Sequence, residues 1–344
     1  MPTTHAIIVL LLSAGLTYVL TPLAIHLGRR WNLVDVPGGR RRHRGRLVRI
    51  GGLALYPAFT IAVLFALGLP RRDPLEVTRI TGVLLSLGMV WVYGLLDDRH
   101  RLPGWSHIIA LAMASLVAIA FKVFVEVFNN PFTDLQVKVD WYLMVPITIA
   151  WLVGMSSTVN IVDGVDGLAT GVTAIAALIL CIHMVRLEQY TVALLPLALL
   201  GCCLGFLPYN FYHARIILGG GAFVLGYALG ALSIVAGAKV ATALLVVWMP
   251  LLDIVWQVYC RLRRGQNVSL GDRGHLHFRL QDMGWSSPQI VLLYYAITAA
   301  LGSAALLISS RLLKLGVMVL VGLMILALLV VLRRRTGDVT PAGD

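Results

Sequence analysis

Two pairs of closely spaced aspartates are the residues whose spacing most clearly suggests chemistry. Asp97 and Asp98 are adjacent at the end of an apolar run, in the segment GLLDDRHRLPGW. Asp163 and Asp166 are about one helical turn apart, in NIVDGVDGLATG, between two further apolar runs. Neighbouring carboxylates repel each other unless a cation lies close by. Each pair therefore suggests a bound divalent metal or a proton-accepting role. For the first pair, a solvated helix end with arginine counter-ions is the alternative.

Glycines and an asparagine surround the second pair. Gly164, Gly167 and Gly171 would let the backbone approach a ligand closely, because glycine has no Cβ. Asn160 lies about one turn before Asp163. Packing alone explains this combination poorly, so we predict a metal or nucleotide site here.

Two basic segments could bind phosphate. Residues 271–280, GDRGHLHFRL, place His275, His277 and Arg279 close together, a set of donors that suits a phosphate group. A solvated basic loop that only sets membrane topology is the alternative. Residues 35–52 are dense in arginine and end in two glycines before an apolar run. Contact with anionic lipid headgroups alone could explain that segment.

A fifth segment, residues 206–227, reads FLPYNFYHARIILGGGAFVLGY. Asn210 could hydrogen-bond a sugar or a carboxylate. The run Gly219-Gly220-Gly221 permits close backbone approach to a ligand, or simply tight helix packing.

The composition places these segments in a membrane protein. Of the 344 residues, 59% are hydrophobic and only 13% are charged, against about 25% charged in soluble domains, which excludes a soluble globular protein. The net charge of +12 would suggest nucleic acid in a soluble protein. In so apolar a chain it indicates cytoplasmic loops or anionic substrates, and we expect no nucleic-acid partner. The four cysteines lie in or at the ends of apolar runs, and we interpret them as packing residues.

The sequence predicts an all-α multi-pass integral membrane protein with about eleven transmembrane helices. The candidate runs are 5–27, 51–69, 80–96, 106–125, 141–159, 168–184, 191–209, 216–236, 238–258, 288–309 and 312–332. If the N-terminus lies outside, nineteen of the 28 Lys and Arg residues fall in cytoplasmic loops and eight in the opposite loops. That asymmetry favours a cytoplasmic C-terminus. We expect one polytopic domain, residues 1–335, and a short cytoplasmic tail, 336–344.

The candidate acids lie in or beside the loops assigned to the cytoplasm, a distribution that topology rules do not require of Asp and Glu. Carboxylates at a membrane boundary are costly unless they are paired or metal-bound, so they are functional candidates. A transporter is the alternative class. It would be expected to carry charges near the midplane and repeated halves with broken helices. Neither feature is evident.

Together, residues 94–101, 160–171, 206–227, 271–280 and 35–52 resemble the motifs of the polyprenyl-phosphate N-acetylhexosamine-1-phosphate transferases. The resemblance covers roughly residues 30–300. It implies ten or eleven helices, a cytoplasmic active face at a bacterial-type inner membrane, and Mg²⁺, with Mn²⁺ as the alternative. It also implies transfer of a sugar-1-phosphate from a UDP-N-acetylhexosamine to undecaprenyl phosphate, with release of UMP. A homodimer is a further expectation.

One segment indicates which branch of the family the chain resembles. The branch that uses a UDP-muramoyl-pentapeptide carries Lys-x-Gly-Thr-Pro-Thr-Met-Gly-Gly before its second span, whereas this chain has RGRLVRIGG. It therefore looks closer to the UDP-GlcNAc:undecaprenyl-phosphate GlcNAc-1-phosphate transferases, which start lipid-linked cell-wall polysaccharides such as lipopolysaccharide O-antigen or teichoic acid.

The resemblance also implies roles for individual residues. Asp97 and Asp98 would engage the lipid phosphate and metal, and the implied catalytic set is Asp97, Asp98, Asp163 and Asp166. The implied metal ligands are Asp98, Asp163 and Asp166. The implied substrate-binding residues are Asn160, Asn210, Asp253, Arg261, His275, His277, Arg279 and His43.

One departure puts activity in question. The family pattern Pro-Ala-x-x-Phe-Met-Gly-Asp-x-Gly-Ser includes an aspartate that ligates magnesium. Counted from Ala214 it should stand at position 220, and counted back from Gly226 at position 219; both are glycine. Three readings are open: other aspartates compensate, the chain is a degenerate homologue that binds without turnover, or the deletion is a sequence error.

Overall fold

A computed structural model shows a bundle of helices and describes residues 3–35, 46–71, 73–130, 132–133, 135–237, 240–265 and 274–336. The helices are α1 (Thr3–Arg30), α2 (Gly52–Leu67), α3 (Leu75–His100), α4 (Gly104–Ala120), α5 (Trp141–Val162), α6 (Leu168–Arg186), α7 (Tyr190–Asn210), α8 (Gly221–Val235), α9 (Val240–Val246), α10 (Trp248–Arg263), α11 (Leu276–Asp282), α12 (Ser287–Leu307) and α13 (Arg311–Thr336).

Seven of the described helices are long and apolar enough to cross a membrane: α1, α3, α5, α6, α7, α12 and α13. Helices α2, α4 and α8 are apolar but shorter. A helix suits lipid because it satisfies its backbone hydrogen bonds internally. The architecture is therefore that of a helical multi-pass membrane protein. Ten of the predicted apolar runs each correspond to one helix, whereas the run 238–258 is interrupted at Val247 between α9 and α10. The number of spans and the orientation of the termini stay predictions.

The predicted all-α class is confirmed as a mostly helical protein, and two small sheets that the sequence did not predict lie between the helices. Strands β1 (Val34–Asp35), β2 (Leu47–Arg49) and β5 (Ile216–Ile217) form one sheet, and β3 (Val127–Asn129) and β4 (Gln136–Lys138) form an antiparallel hairpin. Buried backbone outside helices must find hydrogen-bond partners elsewhere, and strand pairing provides them.

In the first sheet, the parallel pairing of β2 with β5 places the starts of α2 and α8 side by side. Strand β2 pairs with β5 so that Arg49 lies beside Ile217, and each strand leads within a few residues into a helix, α2 or α8. All the residues of α8 are buried, as expected of a helix that is hydrophobic on every side. The glycine run before α8 is thereby placed among the ends of several helices.

Candidate active site

The first aspartate pair is bridged by an arginine that lies about fifty residues earlier in the chain. The Arg49 Nη2 group donates to Asp97 Oδ2 at 3.0 Å, and Arg49 Nε donates to Asp98 Oδ1 at 3.1 Å. The side chains of Arg49 and Asp97 are 23% and 14% exposed, while that of Asp98 is 0% exposed. Charge-assisted bonds of this kind are about twice as strong as neutral ones. The pair is therefore an ion-pair cluster with one solvent-facing edge.

The amide at the start of α8 holds the buried carboxylate. Gly220 N–H donates to both oxygens of Asp98, at 2.9 Å to Oδ1 and 3.0 Å to Oδ2. The N-terminus of a helix carries partial positive charge, which favours a carboxylate there. Asp97 makes a comparable local contact, because Leu102 N–H donates to its Oδ1 at 3.1 Å. Asp98 thus links α3 to the beginning of α8.

Glycines allow the backbones of α2, α3 and α8 to approach closely at this junction. A Cβ on Gly220 would lie 2.3 Å from the carbonyl oxygen of Gly94, and a Cβ on Gly221 would lie 2.6 Å from the amide nitrogen of Gly52. Backbone therefore passes directly against backbone where α2, α3 and α8 meet. Of the two uses that the sequence left open for the glycine run, this geometry shows tight helix packing.

The same geometry leaves no room for a further side chain at the positions where the family aspartate is expected. Gly219 has φ +55°, a conformation that favours glycine, and a Cβ there would lie 2.3 Å from Asp98 Oδ1. At Gly220 the obstacle is the backbone of Gly94. An aspartate at position 220 would require α3 and α8 to move apart, and one at position 219 would displace the Asp98 and Arg49 side chains.

The histidine segment is anchored by Asp253, a buried residue of α10. Asp253 Oδ2 lies 2.9 Å from His275 Nδ1, and Asp253 Oδ1 accepts the N–H of Leu276, the first residue of α11, at 3.1 Å. Gly274 O accepts hydrogen bonds from Gln257 Nε2 and, at 2.8 Å, from Arg279 Nε. His275, His277 and Arg279 are all buried. Residues 274–280 are therefore a fixed part of the structure rather than a free loop.

The second acidic segment contacts the histidine segment. A Cβ on Gly164 would lie 2.5 Å from His277 Nε2 and 2.8 Å from Phe278 Cζ, so only glycine allows the two segments to pack this closely. The His275 and His277 rings are parallel within 6° at a centroid separation of 5.9 Å. The structure thus brings together two segments that the sequence predicted separately.

Asp163 and Asp166 are both partly exposed. Asp163 directly follows α5 as its C-cap residue. Asp166 Oδ2 accepts the N–H of Ala214 at 3.2 Å. That bond ties the second acidic segment to the chain leading into β5 and Gly219. Contacts at Gly220 and Ala214, joined by chain residues 214–220, therefore connect Asp98 to Asp166, and close packing connects Gly164 to the histidine segment and Asp253.

Three further predicted site residues are Asn160, Arg261 and His43. Asn160 lies in the last turn of α5 and is partly exposed, and Arg261 is buried in the last turn of α10. His43 lies outside the described residues, as do residues 271–273 of the histidine segment.

Asn210 is placed where a structural role fits better than the predicted contact with substrate. Its side chain is buried: Oδ1 accepts a hydrogen bond from Thr170 Oγ1 at 2.6 Å, and Nδ2 donates to Ile216 O at 3.0 Å. Buried amides need such partners. Asn210 thereby fastens α6 and α7 to β5. Its role in substrate binding stays a prediction that this geometry does not favour.

The predicted magnesium ligands are Asp98, Asp163 and Asp166. Among the described residues, no three or more His, Cys, Asp or Glu side chains form a group that could hold a metal ion. Asp98 already accepts N–H groups on both oxygens. The described side chains of Asp98, Asp163 and Asp166 therefore do not fit the predicted ion as a joint set of ligands, and no step below is derived through a metal.

Arg49 is the site residue that the sequence-based list missed. Its only local signal is its position as the last basic residue before Gly51-Gly52, where α2 starts. Seven other arginines precede it between positions 29 and 46, so the sequence does not distinguish it.

Comparison with known proteins agrees with the resemblance drawn from the motifs. The model of glycosyl transferase family 4 matches residues 80–237. A decaprenyl-phosphate N-acetylglucosaminephosphotransferase of Mycolicibacterium smegmatis is 33% identical over 314 residues, covering 83% of this chain and 77% of the relative. This chain belongs to glycosyl transferase family 4.

Two further relatives represent both branches considered above. A probable undecaprenyl-phosphate N-acetylglucosaminyl 1-phosphate transferase of Bacillus subtilis is 27% identical over 299 residues, covering 85% of this chain and 82% of the relative. A phospho-N-acetylmuramoyl-pentapeptide-transferase of Acetivibrio thermocellus is 30% identical over 320 residues, covering 86% of this chain and 92% of the relative.

Proposed function

We propose that this chain transfers N-acetylhexosamine-1-phosphate from a UDP-sugar to a polyprenyl phosphate such as undecaprenyl phosphate and releases UMP. The observation that carries the proposal is the series of contacts and short chain segments that connects Asp98, Asp166, Gly164 and Asp253. It gathers acidic and basic groups from five distant segments of the chain. Relatives named for transfer of N-acetylglucosamine phosphate to polyprenyl phosphates support the same reaction.

The residues divide into two functional groups under this proposal. His275, His277 and Arg279 would hold the diphosphate of the sugar nucleotide, because histidine and arginine donate to phosphate oxygens. All three side chains are buried, so the proposal requires this segment to open when the nucleotide binds. Asp97 and Arg49 form the solvent-facing edge of the other group and would meet the lipid phosphate. In-line transfer requires the attacking lipid phosphate and the leaving UMP on opposite sides of the β-phosphate. Positioning and charge neutralisation would then supply most of the catalysis.

Orientation and cellular role belong to the same proposal. The active face would lie at the cytoplasmic side of a bacterial-type inner membrane, with eleven spans and the N-terminus outside. The lipid tail would enter from the bilayer, between helices. The product would start a lipid-linked cell-envelope polysaccharide, N-acetylglucosamine would be the donor sugar, and Mg²⁺ or Mn²⁺ stays the cofactor that family membership suggests. A homodimer is the proposed assembly.

A second candidate is a degenerate homologue that binds lipid phosphate or UDP-sugar without turnover. The absence of an aspartate at Gly219 and Gly220 favours it, since loss of a comparable electrostatic group typically costs about 10²–10³ in rate.

One assay separates the two candidates. Purified protein is incubated with undecaprenyl phosphate and several UDP-N-acetylhexosamines, with and without Mg²⁺, and UMP release is measured. Release from at least one donor, lost in Asp97→Asn, is expected. The matched control Asp140→Asn changes an aspartate whose side chain accepts a hydrogen bond from Tyr142 and should leave release unchanged. No release from any donor, but release after insertion of an aspartate between Gly219 and Gly220, would refute the active-enzyme proposal and support the second candidate.

A further inference from the structure

We propose that Arg49 is the resident cation of the Asp97–Asp98 pair, so that this pair does not take up a divalent metal ion. The inference deepens the proposed function, on which it rests for its biological meaning. It concerns only this pair of carboxylates.

The first argument is the occupancy of the carboxylate oxygens. Asp97 Oδ1 accepts Leu102 N–H at 3.1 Å, and Asp97 Oδ2 accepts Arg49 Nη2 at 3.0 Å. Asp98 Oδ1 accepts Arg49 Nε at 3.1 Å and Gly220 N–H at 2.9 Å, and Asp98 Oδ2 accepts Gly220 N–H at 3.0 Å. Each of the four oxygens therefore has a protein donor. A metal ion would have to share these oxygens with the donors from Arg49 and Gly220 that hold α3 to β2 and α8, and it would compete with them for the carboxylate lone pairs.

The second argument concerns charge. Two adjacent carboxylates repel each other, and a nearby positive charge relieves that repulsion. The guanidinium of Arg49 contacts both, with its planar fork spanning one oxygen of each. The amide at the start of α8 adds partial positive charge beside Asp98. The protein thus provides at this point the positive charge that a metal ion would otherwise bring.

The third argument is steric. A metal site built from this pair would need a further ligand, and Gly219 and Gly220 lie directly beside Asp98. A Cβ at Gly219 would lie 2.3 Å from Asp98 Oδ1 and 2.8 Å from Arg49 Cγ. Any side chain at position 219 would therefore crowd both Asp98 and Arg49, so the observed arrangement of this pair goes with glycine at that position.

The test is a titration of the purified full-length protein with Mn²⁺ alone, followed by electron paramagnetic resonance of free Mn²⁺. Wild type should show no site that depends on Asp97. Arg49→Gln should acquire an Asp97-dependent site whose affinity for Mn²⁺ is at least tenfold above any Mn²⁺ binding of the wild type, and Arg49→Lys, which keeps the charge, should not. Arg79→Gln is the matched control, because it breaks an arginine–aspartate pair of 2.9 Å with Asp73 away from this site.

The outcomes are decisive in both directions. Wild-type binding of Mn²⁺ that Asp97→Asn abolishes would overturn the proposal, as would a folded Arg49→Gln variant that gains no site. If Arg49→Gln fails to fold, the midpoint of wild-type thermal unfolding decides. A midpoint that is unchanged by millimolar Mn²⁺ supports the proposal, and a rise that Asp97→Asn removes overturns it. The Mn²⁺ titration contains no substrate, so its result does not depend on UMP release. Failure of UMP release would refute the proposed function and leave the metal-binding result unchanged.

Discussion

Replacing Gly220 by alanine tests the backbone junction on which the candidate site depends. Gly220 has φ −58° and ψ −18°, a right-handed helical conformation that alanine adopts readily. Considered alone, the change would stabilise the protein by about 0.4–1 kcal/mol, because alanine restricts the unfolded chain. Any destabilisation must therefore come from contacts of the added methyl group.

Those contacts are with backbone that cannot rotate away. The new Cβ would lie 2.3 Å from the Gly94 carbonyl oxygen and 2.4 Å from its carbonyl carbon and Cα. Comfortable separations are roughly 3.5 Å, so α3 and the start of α8 must move apart by about 1 Å. Overpacking of this kind costs about 1–3 kcal/mol. Weakening the hydrogen bonds from Gly220 N–H to Asp98 costs about 1.5–3 kcal/mol more. The expected net loss of stability is about 2–5 kcal/mol.

The measurement is thermal unfolding of the purified protein in detergent, followed by tryptophan fluorescence. Gly154→Ala is the matched control, because this glycine lies inside helix α5 and a Cβ there meets no atom within 4 Å. The control should be neutral or slightly stabilised. The Gly220→Ala midpoint should fall by several degrees, at roughly 2–4 °C for each kcal/mol. Equal midpoints for the two variants would refute the close backbone crossing and with it the steric account of the missing aspartate.

Further predictions address the other parts of the site. Asn210→Ala should lower stability by about 1–3 kcal/mol, because it leaves buried partners unsatisfied, while the KM for the UDP-sugar stays unchanged; a raised KM at unchanged stability would restore a substrate role. Asp253→Asn should speed amide hydrogen exchange in α11 through weaker capping, and unchanged exchange would contradict that anchor. Gly164→Ala should sharply reduce UMP release with normal expression, since it pushes His277 away, and retained activity would separate the two segments functionally. A reporter fused after Arg335 should be active only on the cytoplasmic side, and activity outside would invert the proposed topology.

The helical framework follows from the sequence because its cause is local. A chain with 59% hydrophobic residues in long runs can satisfy its backbone in lipid only by forming helices, and most predicted runs coincide with one helix each. The interruption at Val247 was missed, because the apolar run continues through it. The short strands were missed for a related reason: two or three residues in a loop carry too little periodicity to indicate pairing.

The sequence also identified the segments that form the candidate site. Paired aspartates, interleaved glycines and the histidine segment stand out by residue type and spacing, and their roles in binding and catalysis stay predictions. Spacing could not show, however, which way a side chain faces. Asn210 was interpreted as a contact for substrate, but the crossing of α6 and α7 turns it inward to Thr170.

Only the tertiary structure decided which distant residues meet. Arg49 reaches Asp97 and Asp98 because β2 runs parallel to β5 and places the start of α2 beside that of α8. The glycine run closes that junction, since a Cβ at Gly220 would collide with the backbone of α3. Local sequence determines that a segment is a helix or a turn. The partner of a charged side chain depends on how separate elements cross, and that is set by packing over the whole bundle.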